Sequence, residues 1–289
     1  MSRIAYVNGR YVPHRDARVH VEDRGYQFAD GVYEVIAIHE GQFIDELPHL
    51  DRLDRSLREL RIPAPMSRPA LQTAMRELVR RNGIREGIVY MQVTRGVARR
   101  DHPFPAKPPR PALVMTAARK NRPNPAVLEA GVRALSVPDI RWGRCDIKTV
   151  SLLPNVLAKQ QAREAGAYEA WLVDADGNVT EGSSTNAWIV TRDGKLVTRP
   201  TGAEILSGIT RASVLKLVRE EGIELVERPF SLAEAKEARE AFVTSATSYV
   251  LPVVQIDEAV IGNGKPGSVA RKLFAAYLAY MEGEGATPA

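Results

Sequence analysis

Apolar and polar positions follow two rhythms in the first part of the chain. Around Asn8-Gly9, two short β-prone runs, Ile4–Val7 and Arg10–Val12, flank a dipeptide that tolerates positive φ, which predicts a hairpin. The stretch Gly31–Ile44 repeats the theme with Glu40-Gly41 at the turn. From His49 to Arg61 the period lengthens, because Leu50, Leu53, Leu57 and Leu60 fall on one helical face and Arg and Asp residues on the other. A second helix over Arg68–Asn82 and strands over Gly87–Gly96 and Ala112–Ala118 complete an α+β domain expected to span residues 1–118.

The next stretch, 119–125, is polar, contains two prolines and breaks every periodicity, so it reads as a linker. A second α+β domain is expected over 126–289. It holds a helix after Lys148, a strand over Glu169–Gly182 turning at Asp176-Gly177, strands through Asn186–Arg199, a helix over Thr210–Gly222 and one strand over Glu240–Asp257. Helices and strands do not alternate with the regular beat of a doubly wound parallel sheet.

Composition narrows the class. Hydrophobic residues are 44% and charged residues 26% of the 289, the balance of a globular chain. No apolar run reaches the roughly 20 residues of a membrane helix. The start of the chain has no signal-like apolar core, so a cytoplasmic protein is expected. One cysteine, Cys145, leaves no disulfide and no multi-cysteine metal site, and no metal is expected. The net charge of +5 raises nucleic acid as a partner. The charge is dispersed, and the densest basic segment, Arg95–Pro111, lacks interleaved aromatics for base stacking, so a nucleic-acid role is disfavoured.

Three stretches carry candidate chemistry. Glu181 leads into the small polar run Gly182–Asn186, which lets a ligand approach the backbone. Leu206-Ser207-Gly208-Ile209-Thr210 opens a helix, whose unspent N–H groups suit a phosphate. Lys148 stands ahead of a long helical pattern, beside Asp146 and an apolar run. Taken singly, the first two read better as an exposed glutamate and an ordinary helix cap, and the third has the alternative of a surface lysine.

Their combination resembles the class IV aminotransferases, the two-domain fold-type IV enzymes that use pyridoxal 5'-phosphate, and among them those acting on D-amino acids. The family spacing of Glu and Asn, then Leu-x-Thr, then Leu-x-Gly-Ile-x-Arg reads here as Glu181 and Asn186, Leu196-Val197-Thr198, and Leu206 to Arg211. Further matching stretches include "HLDRLDRS", "QVTRG", "DIRWGRCDIKTVSLLPNVLAKQQA" and "FVTSATS". The resemblance implies that Lys148 bonds to the cofactor aldehyde and shuttles the substrate proton, while Glu181 faces the ring nitrogen. It implies Arg52, Ile209 and Thr210 at the phosphate, Leu206 against the ring, and Ser245 and Ala246 in a second phosphate loop. It further implies Tyr33, Arg100 and His102 at the substrate α-carboxylate, the last two lent across the interface of a homodimer. Three positions depart from the usual pattern: Trp188, Ala246, and Asp101 between the Arg-His pair. The implied reaction is transamination between a D-amino acid, such as D-alanine or D-glutamate, and a 2-oxo acid. A branched-chain L-amino-acid aminotransferase and an aminodeoxychorismate lyase are the alternatives on the same scaffold, and a basic nucleic-acid-binding protein is the alternative from another class.

Overall fold

The structure, a computed structural model, describes residues 3–289, and its contacts group them into two compact units. The first holds the described residues to Asn121, together with Ile147–Ser151 and Met281–Ala289; the second holds Arg122–Asp146 and Leu152–Tyr280. The chain first passes between units inside the stretch read as a linker. The five residues around Lys148, read from sequence as part of the second domain, join the first.

In the first unit β1 (Ile4–Val7) and β2 (Arg10–Pro13) form the hairpin around Asn8-Gly9, whose φ values of 48° and 94° are those the turn requires. Short helix α1 (Arg24–Phe28) precedes β3 (Gly31–His39) and β4 (Gln42–Ile44). Helices α2 (Glu46–Glu59) and α3 (Arg68–Asn82) follow, then β5 (Gly87–Thr94) and β6 (Ala112–Arg119). The sheet is antiparallel throughout, in the order β4-β3-β5-β6-β1-β2, with the last strand of the chain, Ala286–Pro288, added beside β4. Leu50, Leu53 and Leu57 of α2 are buried with Met75 and Leu78 of α3 and with Ile36, Val89, Met91 and Met115 of the sheet, as a shared apolar helix face demands.

The second unit runs α4 (Pro125–Ala130), β7 (Val132–Pro138), α5 (Leu153–Glu164), β8 (Glu169–Val173), β9 (Val179–Gly182), β10 (Asn186–Val190), β11 (Leu196–Thr198), α6 (Ile209–Glu220), β12 (Leu225–Glu227), α7 (Leu232–Glu237), β13 (Glu240–Ser245), β14 (Tyr249–Ile256), β15 (Ala259–Val260) and all but the last two residues of α8 (Ser268–Glu282). Its mixed sheet has the order β12-β11-β10-β13-β14-β7-β8-β9, with β15 beside β14. Trp171, Ile189, Val197, Phe230, Val243 and Leu251 form part of the core.

One expectation changes in the second unit. Glu240–Asp257 is not one strand but the antiparallel pair β13 and β14. The Ser245 hydroxyl accepts the N–H groups of Thr247 (3.4 Å) and Ser248 (3.1 Å) and so closes a turn in the middle of this stretch. The helix expected after Lys148 begins at Leu153, while Lys148–Val150, in the first unit, is extended chain paired with β3: Tyr33 N–H donates to Lys148 O (3.0 Å) and Val150 N–H to Gly31 O (3.1 Å). No helix among the described residues is long and apolar enough to cross a membrane.

Candidate active site

Lys148 is held at its backbone by the edge of β3. Thr149 bridges Val32, and Ile147 is buried in the first core, so the lysine stands between two anchored neighbours. Its Nζ lies 4.3 Å from the centroid of the Tyr33 ring and makes no ion pair among the described residues. Lys148 and Tyr33 are therefore neighbours in the structure. Tyr33 in turn stacks on Tyr90 (5.7 Å between ring centres), whose hydroxyl donates to Gln92 Oε1 (2.6 Å). Burial, with the neighbouring Tyr33, pushes the Tyr90 phenol up to about 12.

Arg52 lies on the buried side of α2, where Glu34 of β3 grips it through Nε (2.7 Å) and Nη2 (2.8 Å). His49, one turn earlier, places Nδ1 2.7 Å from the same carboxylate. Glu34 is fully buried, and burial by itself would raise its pKa. The Arg52 charge and the hydrogen bonds from Arg52 and His49 outweigh burial and bring it down to about 2. Asp51 and Asp54, the helix neighbours that could have claimed Arg52, pair with Arg68 instead. Glu34 and His49 carried no weight in the sequence, although each lies beside a residue that did: Glu34 follows Tyr33, and His49 precedes Arg52 by one turn.

Arg100 and His102 stand on an exposed loop with Phe28 between them and the fold. The Arg100 guanidinium is 5.1 Å from the ring centre, and the His102 ring is 5.5 Å from it. Asp101, the unusual residue between them, turns its carboxylate on its own loop and accepts the His102 N–H (2.8 Å).

In the second unit, Glu181 lies near the end of β9, 7% exposed at its side chain. It accepts from Asn186 Nδ2 (3.0 Å), from Leu206 N–H (3.2 Å to each oxygen) and from Arg141 Nη1. Arg141 also binds Asp139 (Nη2, 2.8 Å) and the Glu204 carbonyl (2.9 Å). Asp139 in turn takes the Thr180 hydroxyl (2.7 Å). Burial would raise Asp139, and Arg141 more than reverses it. Cys145, nearby in the chain, is pushed up to about 11, chiefly by burial. Arg141 and Asp139 were missed by the sequence reading. Their signal was there in "DIRWG", where an acid and a base two apart on extended chain share one side.

Gly208 is the N-cap of α6, with no side-chain cap, so the first N–H groups of the helix, at Ile209 and Thr210, are unspent by capping. A Cβ at Gly208 would come within 2.0 Å of Asn186 Oδ1. Asn186 Nδ2, which binds Glu181, also binds the Leu206 carbonyl (3.0 Å), so Glu181, Leu206 and the α6 start form one assembly. Arg211, which ends the family spacing, is buried and holds the Arg199 carbonyl (2.9 Å) and Glu227 (2.6 Å). Ser245 turns its hydroxyl inward, on the Ser245–Ser248 turn that also carries Ala246. Trp188 is fully buried, stacks on Phe242 and donates Nε1–H to Thr244 Oγ1 (3.0 Å).

The chain belongs to the class IV aminotransferases, whose family model matches residues 31–256. Among individual relatives, it is 39% identical over 277 residues to the D-alanine aminotransferase of Staphylococcus haemolyticus, covering 96% of this chain and 97% of that one. It is 41% identical over 268 residues to the D-alanine aminotransferase of Bacillus licheniformis, covering 92% and 93%. Its fold is similar to solved branched-chain amino acid aminotransferases. One from a T.th. strain, solved with pyridoxamine 5'-phosphate, has TM-score 0.90 at 27% identity and covers 99% of this chain and 98% of that one. Another, from Thermoproteus uzoniensis with norvaline, has TM-score 0.85 at 28% identity and covers 100% and 99%.

Proposed function

We propose that this aminotransferase uses pyridoxal 5'-phosphate to move an amino group between a D-amino acid, such as D-alanine or D-glutamate, and a 2-oxo acid, and that it works as a homodimer. The observation that carries the reading is Lys148: an amine with no carboxylate partner among the described residues, seated on Tyr33 in a chain 39–41% identical to D-alanine aminotransferases. The residues fit the cofactor. An amine free of ion pairing is available for covalent attachment, and the uncapped start of α6 offers N–H groups and a partial positive charge to a phosphate. The fixed carboxylate of Glu181 is a ready acceptor for a ring N–H. When bound, pyridoxal phosphate supplies an aldehyde and an electron-withdrawing ring that acidifies the substrate Cα–H.

Each residue then has a task. Lys148 would take the proton from the substrate Cα and hold it on Nζ for return during transfer. Glu181 keeps a proton on the ring nitrogen, and Arg141 and Asn186 hold its carboxylate in place. Ile209 and Thr210 N–H groups bind the phosphate, Arg52 adds charge with its guanidinium fixed by Glu34, and Ser245 and Ala246 form the second phosphate loop. Leu206 packs on the ring. Tyr33, with Arg100 and His102 of the second protomer, binds the α-carboxylate; this binding decides which Cα bond faces Lys148 and hence which enantiomer reacts.

The test is a pair of half-reactions on cofactor-loaded protein, one with D-alanine and one with L-leucine, following pyruvate or 2-oxo-4-methylpentanoate. D-Alanine should react much faster. The L-leucine arm tests the branched-chain activity of the solved relatives, and a faster L-leucine reaction overturns the reading. Borohydride treatment should add the cofactor mass to the peptide containing Lys148, and Lys148→Ala should abolish both labelling and transfer. Light scattering at micromolar concentration should give twice the chain mass.

A further inference from the structure

The loop that presents Arg100 and His102 leaves and rejoins the first unit at a narrow neck. Gly96 has φ 100°, and a Cβ there would meet the Arg110 carbonyl at 2.1 Å, so only glycine closes it. The anchor of the loop is α1. Asp23 caps this helix through the Gly25 N–H (2.8 Å) and takes the Thr94 hydroxyl (2.9 Å), while the Arg24 N–H donates to Gly96 O (2.9 Å).

The Arg24 side chain is 4% exposed, yet it is spent on an exposed loop. Nε donates to Asp30 (2.8 Å), which Arg95 also grips through Nε (2.7 Å) and Nη2 (2.9 Å). Nη1 donates to the Asp101 carbonyl (2.6 Å) and Nη2 to the His102 carbonyl (3.2 Å). The same guanidinium lies 4.7 Å from the centre of the Phe28 ring, which Arg100 and His102 also contact. A buried cation with one side fixed by a half-buried acid and the other on two consecutive carbonyls can hold a loop tip in a single orientation. Two substrate-binding side chains on mobile chain would otherwise lose ordering entropy on every binding event.

We infer that Arg24 is a positioning residue for the substrate-carboxylate trap, setting where Arg100 and His102 point. The inference rests on the reading of that loop as the trap. It also gives Asp101 a place: its carboxylate fixes the amide of His102 while its carbonyl is held by Arg24.

The experiment compares Arg24→Gln, Arg24→Lys and Arg100→Ala with wild type, all as holoenzyme. It measures KM and kcat for D-alanine, competitive inhibition by propionate as a bare carboxylate probe, bound cofactor per chain, and the rate of tryptic cleavage after Arg99. Arg24→Gln should weaken propionate and raise the D-alanine KM by about 10-fold or more, since small displacements of positioning groups are costly. It should also speed cleavage of the loop and leave cofactor content unchanged. Arg24→Lys, which keeps the Asp30 pair and at most one carbonyl bond, should fall between. If Arg24→Gln fails to load cofactor, Arg24→Lys decides. Wild-type propionate inhibition in the Arg24 variants, with inhibition lost in Arg100→Ala, overturns the positioning role and leaves the trap standing. Wild-type inhibition in Arg100→Ala overturns the trap itself.

Discussion

Glu181 and Arg141 show how much one residue can depend on another here. Replacing Arg141 by Met would leave Asp139 and Glu181, 12% and 7% exposed at their side chains, without their shared cation. Breaking a buried pair from one side costs about 3–5 kcal/mol, so thermal unfolding of Arg141→Met should show a loss of that order. Glu181→Gln should instead leave the fold intact, because Arg141 keeps Asp139, while slowing D-alanine turnover by about 100-fold through loss of the charge facing the ring nitrogen. An unchanged kcat would remove Glu181 from that role. Cys145, with its thiol at about 11, should react with iodoacetamide at pH 8 far more slowly than a free thiol, as mass spectrometry can follow.

At the scale of elements, the start of α6 has a constraint that backbone angles do not reveal. Gly208 has φ −65°, which any residue adopts, but its missing Cβ makes room for Asn186. Gly208→Ala should displace Asn186, and with it Glu181 and Leu206, at a cost of about 1–3 kcal/mol in thermal unfolding. Weaker retention of pyridoxal phosphate on dialysis should accompany it; unchanged stability and retention would show that the assembly is loose. The same elements show what could be read from sequence. The Asn8-Gly9 hairpin and the leucine face of α2 were legible because local chemistry alone dictates them. The turn at Ser245–Ser248 was not, since one serine hydroxyl closes it on the N–H groups two and three residues on, and no glycine, proline or asparagine marks it. Helix α8 carried a legible 3,4,4 spacing of buried positions, Ala270, Leu273, Tyr277 and Met281, that went unused. Lys148 and Glu181 stood out through the family resemblance, whereas Glu34 and Arg24 matter through partners distant in the chain, which no local pattern reports.

For the molecule as a whole, the buried Glu34–His49–Arg52 group sets a response to acid. His49 is held below its usual value of 6.5 by burial, against the pull of Glu34, so below pH 6.5 the unfolded chain takes up a proton that the folded one refuses and stability falls. Glu34 is lowered from 4.5 to about 2, so its contribution is complete above pH 4.5 and is lost as pH falls from there toward 2; the shift corresponds to roughly 3 kcal/mol. Melting temperature should therefore decline in two stages, and His49→Gln should remove the first while keeping the second. The return of Ile147–Ser151 and Met281–Ala289 to the first unit has a further consequence, for synthesis. A ribosome that has released only the first 121 residues has made six strands with an open edge at β4 and with Gly31 and Tyr33 still lacking their partners on the later chain. Such a truncated product should aggregate, and a nascent chain should gain protease resistance in this unit only when its final strand emerges. The unit that opens this sequence is thus finished only by its closing residues.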